Sequence, residues 1–211
     1  MLFARLENPH CKLETLNTDH CAEIRLRPGV RKYACELSLD PNTANNKLFL
    51  SGGNKRVTCV SEEQPYPEHP ERFDDWLQIL CKECLSGRCY WEAEWSGDGA
   101  RIAVAYKSIK RKLRNNDSLV GRNAKSWTLD CSPDSYSAWH NDDRTMGSVP
   151  SSGSRRVGVY LDWPAGTLSF YSVSSDTLTH LHTFHSTFTE PVCPGFRITY
   201  VDSSACLCHI T

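Results

Sequence analysis

From Tyr33 onward the chain is written in short alternating runs, each closed by a cluster of Gly, Pro, Asn, Asp or Ser. That rhythm points away from a helical fold and toward many short strands. In residues 90–95 (YWEAEW), Trp91, Ala93 and Trp95 share one side of an extended chain, while Glu92 and Glu94 take the other. Residues 102–106 (IAVAY) are apolar on both sides, as in a strand sealed inside a sandwich. In residues 157–163 (VGVYLDW) the alternation returns, with Val157, Val159, Leu161 and Trp163 on one side. The tetrapeptide Trp163-Pro164-Ala165-Gly166 then predicts a turn, and residues 167–173 (TLSFYSV) a returning partner strand. Trp91, Trp95, Trp127 and Trp163 all fall inside strand patterns and are expected in the core. Helical spacing shows best at residues 70–80, where Phe73, Trp76 and Leu80 recur three and four apart. The expected fold class is an all-β antiparallel sandwich or barrel.

The chain has 211 residues, which fits one domain, or one domain with a short attachment. Its 24 basic and 25 acidic residues leave a net charge of -1, so no broad basic face for nucleic acid is expected. No apolar run approaches the roughly 20 residues that span a bilayer. The first ten residues (MLFARLENPH) lack the apolar stretch of a signal peptide. A cytoplasmic location follows as the expectation. Eleven cysteines cannot all pair internally, because the number is odd. They are expected as reduced thiols, several of them small buried hydrophobes.

Residues 1–28 read as a separate leader. Leu13, Leu16 and Cys21 follow part of the leucine-rich-repeat pattern, with Thr18 where the third leucine belongs. One repeat cannot bury its own face, so the segment is either the end of a longer array or a disordered leader. The spacing leaves both open.

Three stretches read as loops: 61–71, with three prolines; 107–122, basic and then Asn-rich; and 131–154, the longest irregular stretch. Loops longer than about 12–15 residues inside a compact domain are often binding loops. This one carries Tyr136 and Trp139 beside His140, and rigid amphipathic rings supply contact area at little entropic cost. The basic run 107–114 (KSIKRKLR) is more simply a solvated loop than an anion-binding patch. Cys81 and Cys84 form a C-x-x-C without a second pair at zinc spacing. Alternation alone would put His180 and His182 on one strand face and His185 on the other, which does not build a ligand trio. There is no G-x-S-x-G elbow, H-E-x-x-H, P-loop or dinucleotide glycine fingerprint. The chain therefore reads as a non-enzyme that needs no cofactor, no metal and no small-molecule substrate.

Four segments in register resemble one family. Residues 39–44 (LDPNTA) look like the opening of a PRY segment, and residues 87–94 (GRCYWEAE) resemble the GRHYWEVEV signature of a SPRY domain. Residues 161–171 (LDWPAGTLSFY) resemble LDYEAGTLSFY, and residues 188–196 (FTEPVCPGF) the family's F-x-E-P-L-x-P-x-F strand. The resemblance implies a PRY/SPRY domain over residues 29–211, a bent sandwich of two antiparallel sheets. It also implies non-catalytic recognition of a protein partner through loops at one end. Asp130, Ser132 and Tyr136 are carried over as pocket residues. With Tyr66, Arg72, Trp139 and His140 they make up the expected partner site. The leader resembles the last leucine-rich repeat of a fish NOD-like receptor, which implies an innate-immune role. The alternatives are the C-terminal piece of a stonustoxin-type pore-forming cytolysin and the substrate arm of a tripartite-motif ubiquitin ligase.

Overall fold

The computed structural model describes residues 29–147, 153–175 and 177–210. The leader expected over residues 1–28 lies outside the described residues. Among these residues thirteen strands run in chain order: β1 (Leu48–Ser51), β2 (Arg56–Cys59), β3 (Gln78–Leu80), β4 (Arg88–Ser96), β5 (Ala100–Tyr106), β6 (Ser126–Cys131), β7 (Tyr136–His140), β8 (Asp143–Gly147), β9 (Arg156–Asp162), β10 (Thr167–Ser174), β11 (Thr177–His185), β12 (Val192–Arg197) and β13 (Ser204–Leu207). They form two antiparallel sheets, ordered β1-β2-β13-β4-β9-β10-β11 and β3-β12-β5-β6-β7-β8. Two single-turn 3-10 helices, Arg31–Tyr33 and Asn116–Ser118, are the helical content of the described residues.

The alternation places the core where expected. Trp91, Val159, Leu168 and Phe170 from the seven-stranded sheet meet Ile102, Val104, Trp127, Leu129 and Phe196 from the six-stranded sheet in one buried cluster. The second apolar face of β5, Ala103 and Ala105, is covered separately by Phe73, Leu80, Ile109, Val120 and Cys193. Trp163, less deeply buried than the other three strand tryptophans, packs against the core and donates from Nε1 to the Glu190 carbonyl at 3.0 Å. The predicted turn closes with the Gly166 N–H on the Trp163 carbonyl at 3.1 Å, at φ +70.

Four expectations change. Residues 70–80 are not helical: they form turns that lead into β3, and Phe73 and Leu80 serve the outer cluster. The stretch 131–154 is not one long loop, because β7 and β8 form a hairpin within it. Its two-residue turn, Asn141-Asp142, has φ of +50 and +64. Asn and Asp accept that left-handed backbone, so the tight turn forms without glycine. The third change is a bulge in the β10–β11 pairing, which sets His180 opposite Tyr171 and His182 opposite Phe170. The two histidines therefore leave opposite faces of the strand.

The last change concerns the thiols. Cys84 and Cys193 are joined in a disulfide across 109 residues of chain, against the expectation of reduced cysteines. The reason is the pairing of Leu85 with Val192, whose N–H and carbonyl groups exchange bonds at 2.8 and 2.9 Å and bring the neighbouring cysteines together. Seven other cysteines among the described residues are free.

Glu92 does leave the sandwich core, yet it is only 1% exposed. Val30, Tyr33 and Ile210 cover that outer face together with Tyr90, Tyr171 and Leu178. Glu92 accepts hydrogen bonds from the Tyr90 hydroxyl at 2.7 Å and from Arg156 Nε at 2.5 Å. Gly158 makes room for this arrangement, since a Cβ there would stand 2.6 Å from the Tyr90 hydroxyl.

His182 gives the fold a pH dependence. Burial lowers its pKa, and His180 and His185 lower it further by repulsion. The unfolded chain, with histidines titrating near about 6.5, then takes up protons first. The stabilisation is present above about pH 6.5 and is lost as pH falls toward the depressed folded value. Because the ring is half-exposed the effect is small, on the order of 1–2 °C in Tm between pH 7 and 5.5. His182→Gln should flatten that portion of the Tm profile, and an unchanged slope would contradict the assignment.

Candidate functional site

The face of the six-stranded sheet that looks away from the core presents two rows of side chains fixed by register. One row crosses all six strands as Gln78, Arg197, Arg101, Asp130, Ser137 and Met146. The next runs as Leu80, Gly195, Ala103, Thr128, Trp139 and Arg144. One end of this face is covered by the outer apolar cluster and residues 107–122. In that cover Lys107 and Lys112 pair with Glu71 and Asp74 at 3.1 and 2.7 Å. Arg111 lies buried 4.4 Å over the Phe73 ring, and burial brings its pKa down to about 10.

The open end gathers charge and aromatic surface. Two guanidiniums lie against the Trp139 ring, Arg122 at 3.6 Å and Arg144 at 5.2 Å from its centre, and its Nε1 donates to Ser137 Oγ at 3.2 Å. Arg122 also pairs with Asp142 at 2.7 Å. Cation–π stacking holds the indole and the cations extended and in place. Gly121, at φ +84, brings the adjoining loop against this tryptophan: a Cβ there would lie 3.1 Å from Trp139 Cβ. Arg101 Nε pairs with Asp130 at 2.9 Å, and its Nη1 donates to Thr199 Oγ1 at 2.8 Å. Burial raises the Asp130 pKa even though Arg101, Arg197 and Arg122 pull it down. A recess of about 250 Å³ opens here, lined among others by Arg101, Asp130, Ser132, Arg144 and Tyr200. Met146 and Tyr200 are 60% and 53% exposed.

The expected site residues divide. Asp130, Ser132, Trp139 and His140 all lie on or beside β6 and β7. Ser132 builds a turn with Ser135, their hydroxyls 2.8 Å apart. His140 stacks on Trp127 at 4.7 Å with Nδ1 2.9 Å from the Ser126 carbonyl, so it points to the core side rather than to the open face. Tyr136, expected as an exposed anchor, is 3% exposed and belongs to the core; its hydroxyl donates to the Ser154 carbonyl at 3.0 Å. Burial pushes its pKa up to about 12. Arg72, expected to set charge complementarity, is buried and braces the loop from inside. Its Nη1 donates to the carbonyls of Pro41 and Ala44, and its Nη2 to that of Pro67. Tyr66 packs beside it with its hydroxyl on the Leu48 carbonyl at 2.8 Å. Tyr66 and Arg72 line a second recess that shares no lining residue with the one at Asp130. The expected site residues thus line two distinct recesses.

Sequence reasoning missed Arg101, Arg122, Arg144, Arg197, Met146 and Tyr200. Alternation in 101–106 does put Arg101 out of phase with Ile102 and Val104, and that signal was there to be read.

What such a face offers is rigid contact area, aromatic and methionine surface, and fixed positive charge, the composition of a protein-binding surface on a β scaffold. Comparison with known proteins identifies the family. The PRY (SPRY-associated domain) profile matches residues 37–85 and the SPRY domain profile residues 88–209. The chain belongs to the PRY/SPRY family, and the SPRY domain is a protein-interaction module. Over 176 residues it is 49% identical to stonustoxin subunit beta of Synanceia horrida, covering 83% of this chain and 25% of that one. It is 39% identical over 176 residues to tripartite motif-containing protein 16 of Mus musculus, covering 82% of this chain and 31% of that protein. The crystal structure of the TRIM65 PSpry domain superposes with a TM-score of 0.78 at 29% identity, over 93% of this chain and all of that one. The chain thus spans about a quarter to a third of the length of these two curated relatives. No helix among the described residues is long and apolar enough to cross a membrane.

Proposed function

We propose that this module binds a protein partner through the open end of the outer face of its six-stranded sheet, with Trp139 as the central anchor. The observation that carries the reading is an indole held against both Arg122 and Arg144 on a face that also exposes Met146 and Tyr200. Asp130 and Ser132 border the recess beside it and set the polar rim. Peptides selected on the wild-type module from a random display library test this. Trp139→Ala should weaken the selected peptides about 30-fold, the size of an interface hot spot, with little change in Tm. Phe49→Ala, an exposed residue on β1 of the other sheet, should leave them unaffected. The opposite pattern overturns the site.

The resemblance of residues 1–28 to a terminal leucine-rich repeat supports a place at the end of a cytoplasmic, innate-immune NOD-like receptor. One observation favours the second reading, a toxin-type chain: the Cys84–Cys193 disulfide is a bond of oxidising compartments. Leucine-rich-repeat and nucleotide-binding exons upstream in the gene support the receptor; a pore-forming segment there supports the toxin.

A further inference from the structure

Arg197 stands directly opposite Arg101 on neighbouring strands, a like-charge pair that weakens a sheet on its own. Arg101 is satisfied by Asp130 and Thr199. Arg197 is not. Among the described residues its guanidinium has no ion pair or hydrogen bond, and its Nε is buried without a partner. Its neighbours of note are the Trp76 ring, 5.1 Å from Cζ, and the Asp130 carboxylate, which attracts it without a hydrogen bond and is already engaged by Arg101. Burial, and then repulsion from Arg101, brings its pKa down to about 10, so the cation is held in a place that disfavours charge. In the next row of the same face, Arg144 has, among the described residues, the Trp139 ring for its guanidinium. Asp98 lines the recess beside Arg101, and Asp143 accepts the Arg144 backbone N–H at 2.9 Å.

The geometry points to a carboxylate-bearing peptide as the ligand of this face, with an Asp or Glu side chain of the partner seated on Arg197 beside Arg101 and Trp76. The inference rests on the binding face proposed above and names what that face selects. A guanidinium already desolvated loses little further hydration when the carboxylate arrives, and the planar fork donates two hydrogen bonds to it. The same anion relieves the repulsion between the two arginines. A neutral side chain there would leave Arg197 only a share of Asp130, whose carboxylate already pairs with Arg101.

The peptides selected on the wild-type module carry the test by fluorescence polarisation. They should be rich in Asp and Glu, and replacing one particular acid by its amide should weaken binding at least tenfold. Arg197→Gln should cause a similar loss and Arg197→Lys a smaller one. Combining the peptide's amide with Arg197→Gln should add little beyond either alone. Should Arg197→Gln fail to fold by thermal melt, the peptide replacement and Arg197→Lys decide. Neutral peptides that bind as tightly, or an acid whose removal has no effect, overturn the carboxylate inference; if Trp139→Ala still abolishes binding, the face itself stands. Loss of neither with any of these variants removes the face as well. A 12-nucleotide single strand that displaces the peptide through Arg197 at lower concentration assigns the position to phosphate and overturns the peptide ligand.

Discussion

Trp127→Ala will cost the domain about 3–5 kcal/mol, the range for truncating a large aromatic in a packed core. For a chain of this length that is a fall of roughly 6–20 °C in Tm. The side chain is 1% exposed and is held on three sides: Tyr106 meets it edge-on at 5.3 Å, Phe188 edge-on at 5.1 Å, and His140 stacks at 4.7 Å and 5°. These rings come from β5, β7 and the segment before β12, so no single neighbour can relax into the void. Trp127→Phe should restore most of the loss, because it refills the apolar volume. The expected observation is a lower urea midpoint with an unchanged m-value. An unchanged midpoint would mean that the sandwich core does not depend on this layer. The variant also separates two neighbours in sequence space: Trp127 and Trp139 pair across β6 and β7 only one position apart in register, yet one should change stability and the other binding.

The contrast between those two tryptophans shows what could be read before the fold was known. Residues of β4, β5, β9 and β10 that alternate in the sequence face the core as expected, because burial on one side of a pleated strand leaves a period of two. The hairpin of β7 and β8 was less legible. YSAWH alternates weakly, and Asn-Asp is a quieter turn signal than Asn-Gly. Phe73, Trp76 and Leu80 imitate a helix by spacing alone: Phe73 and Leu80 reach one outer cluster, the first from a turn and the second from β3, while Trp76 lies against Arg197. Tyr136 and Arg72 misled for a related reason. Aromatic and charged residues in loop-like sequence read as exposed, but here one closes the core edge and the other satisfies loop carbonyls from within. The arginine row could not be read at all without pairing. Arg101 and Arg197 lie 96 residues apart in number and become neighbours only because β12 inserts between β3 and β5.

That same insertion creates the Cys84–Cys193 bond, and removing it should be the other large perturbation. The closed loop spans 109 residues, for which chain entropy alone gives on the order of 4–5 kcal/mol, while measured losses for native disulfides run about 2–5 kcal/mol. Cys84→Ser with Cys193→Ser should therefore lower the urea midpoint by an amount in that range. Cys193 is 1% exposed and sits with Phe73, Leu80, Ile109 and Val120 under the cover formed by residues 107–122. Its partner Cys84 is only partly buried, so dithiothreitol should reduce the bond in the folded protein too, though more slowly than in the unfolded chain. The cover carries Gly121 and Arg122 to Trp139. Loss of the bond should thus weaken peptide binding as well, by loosening the contact of Arg122 with the indole. Peptide mapping without reductant should recover Cys84 and Cys193 in one linked fragment. If they are recovered apart, or if the double serine variant melts with the wild type, the bond contributes nothing and the Leu85–Val192 pairing holds this edge by itself.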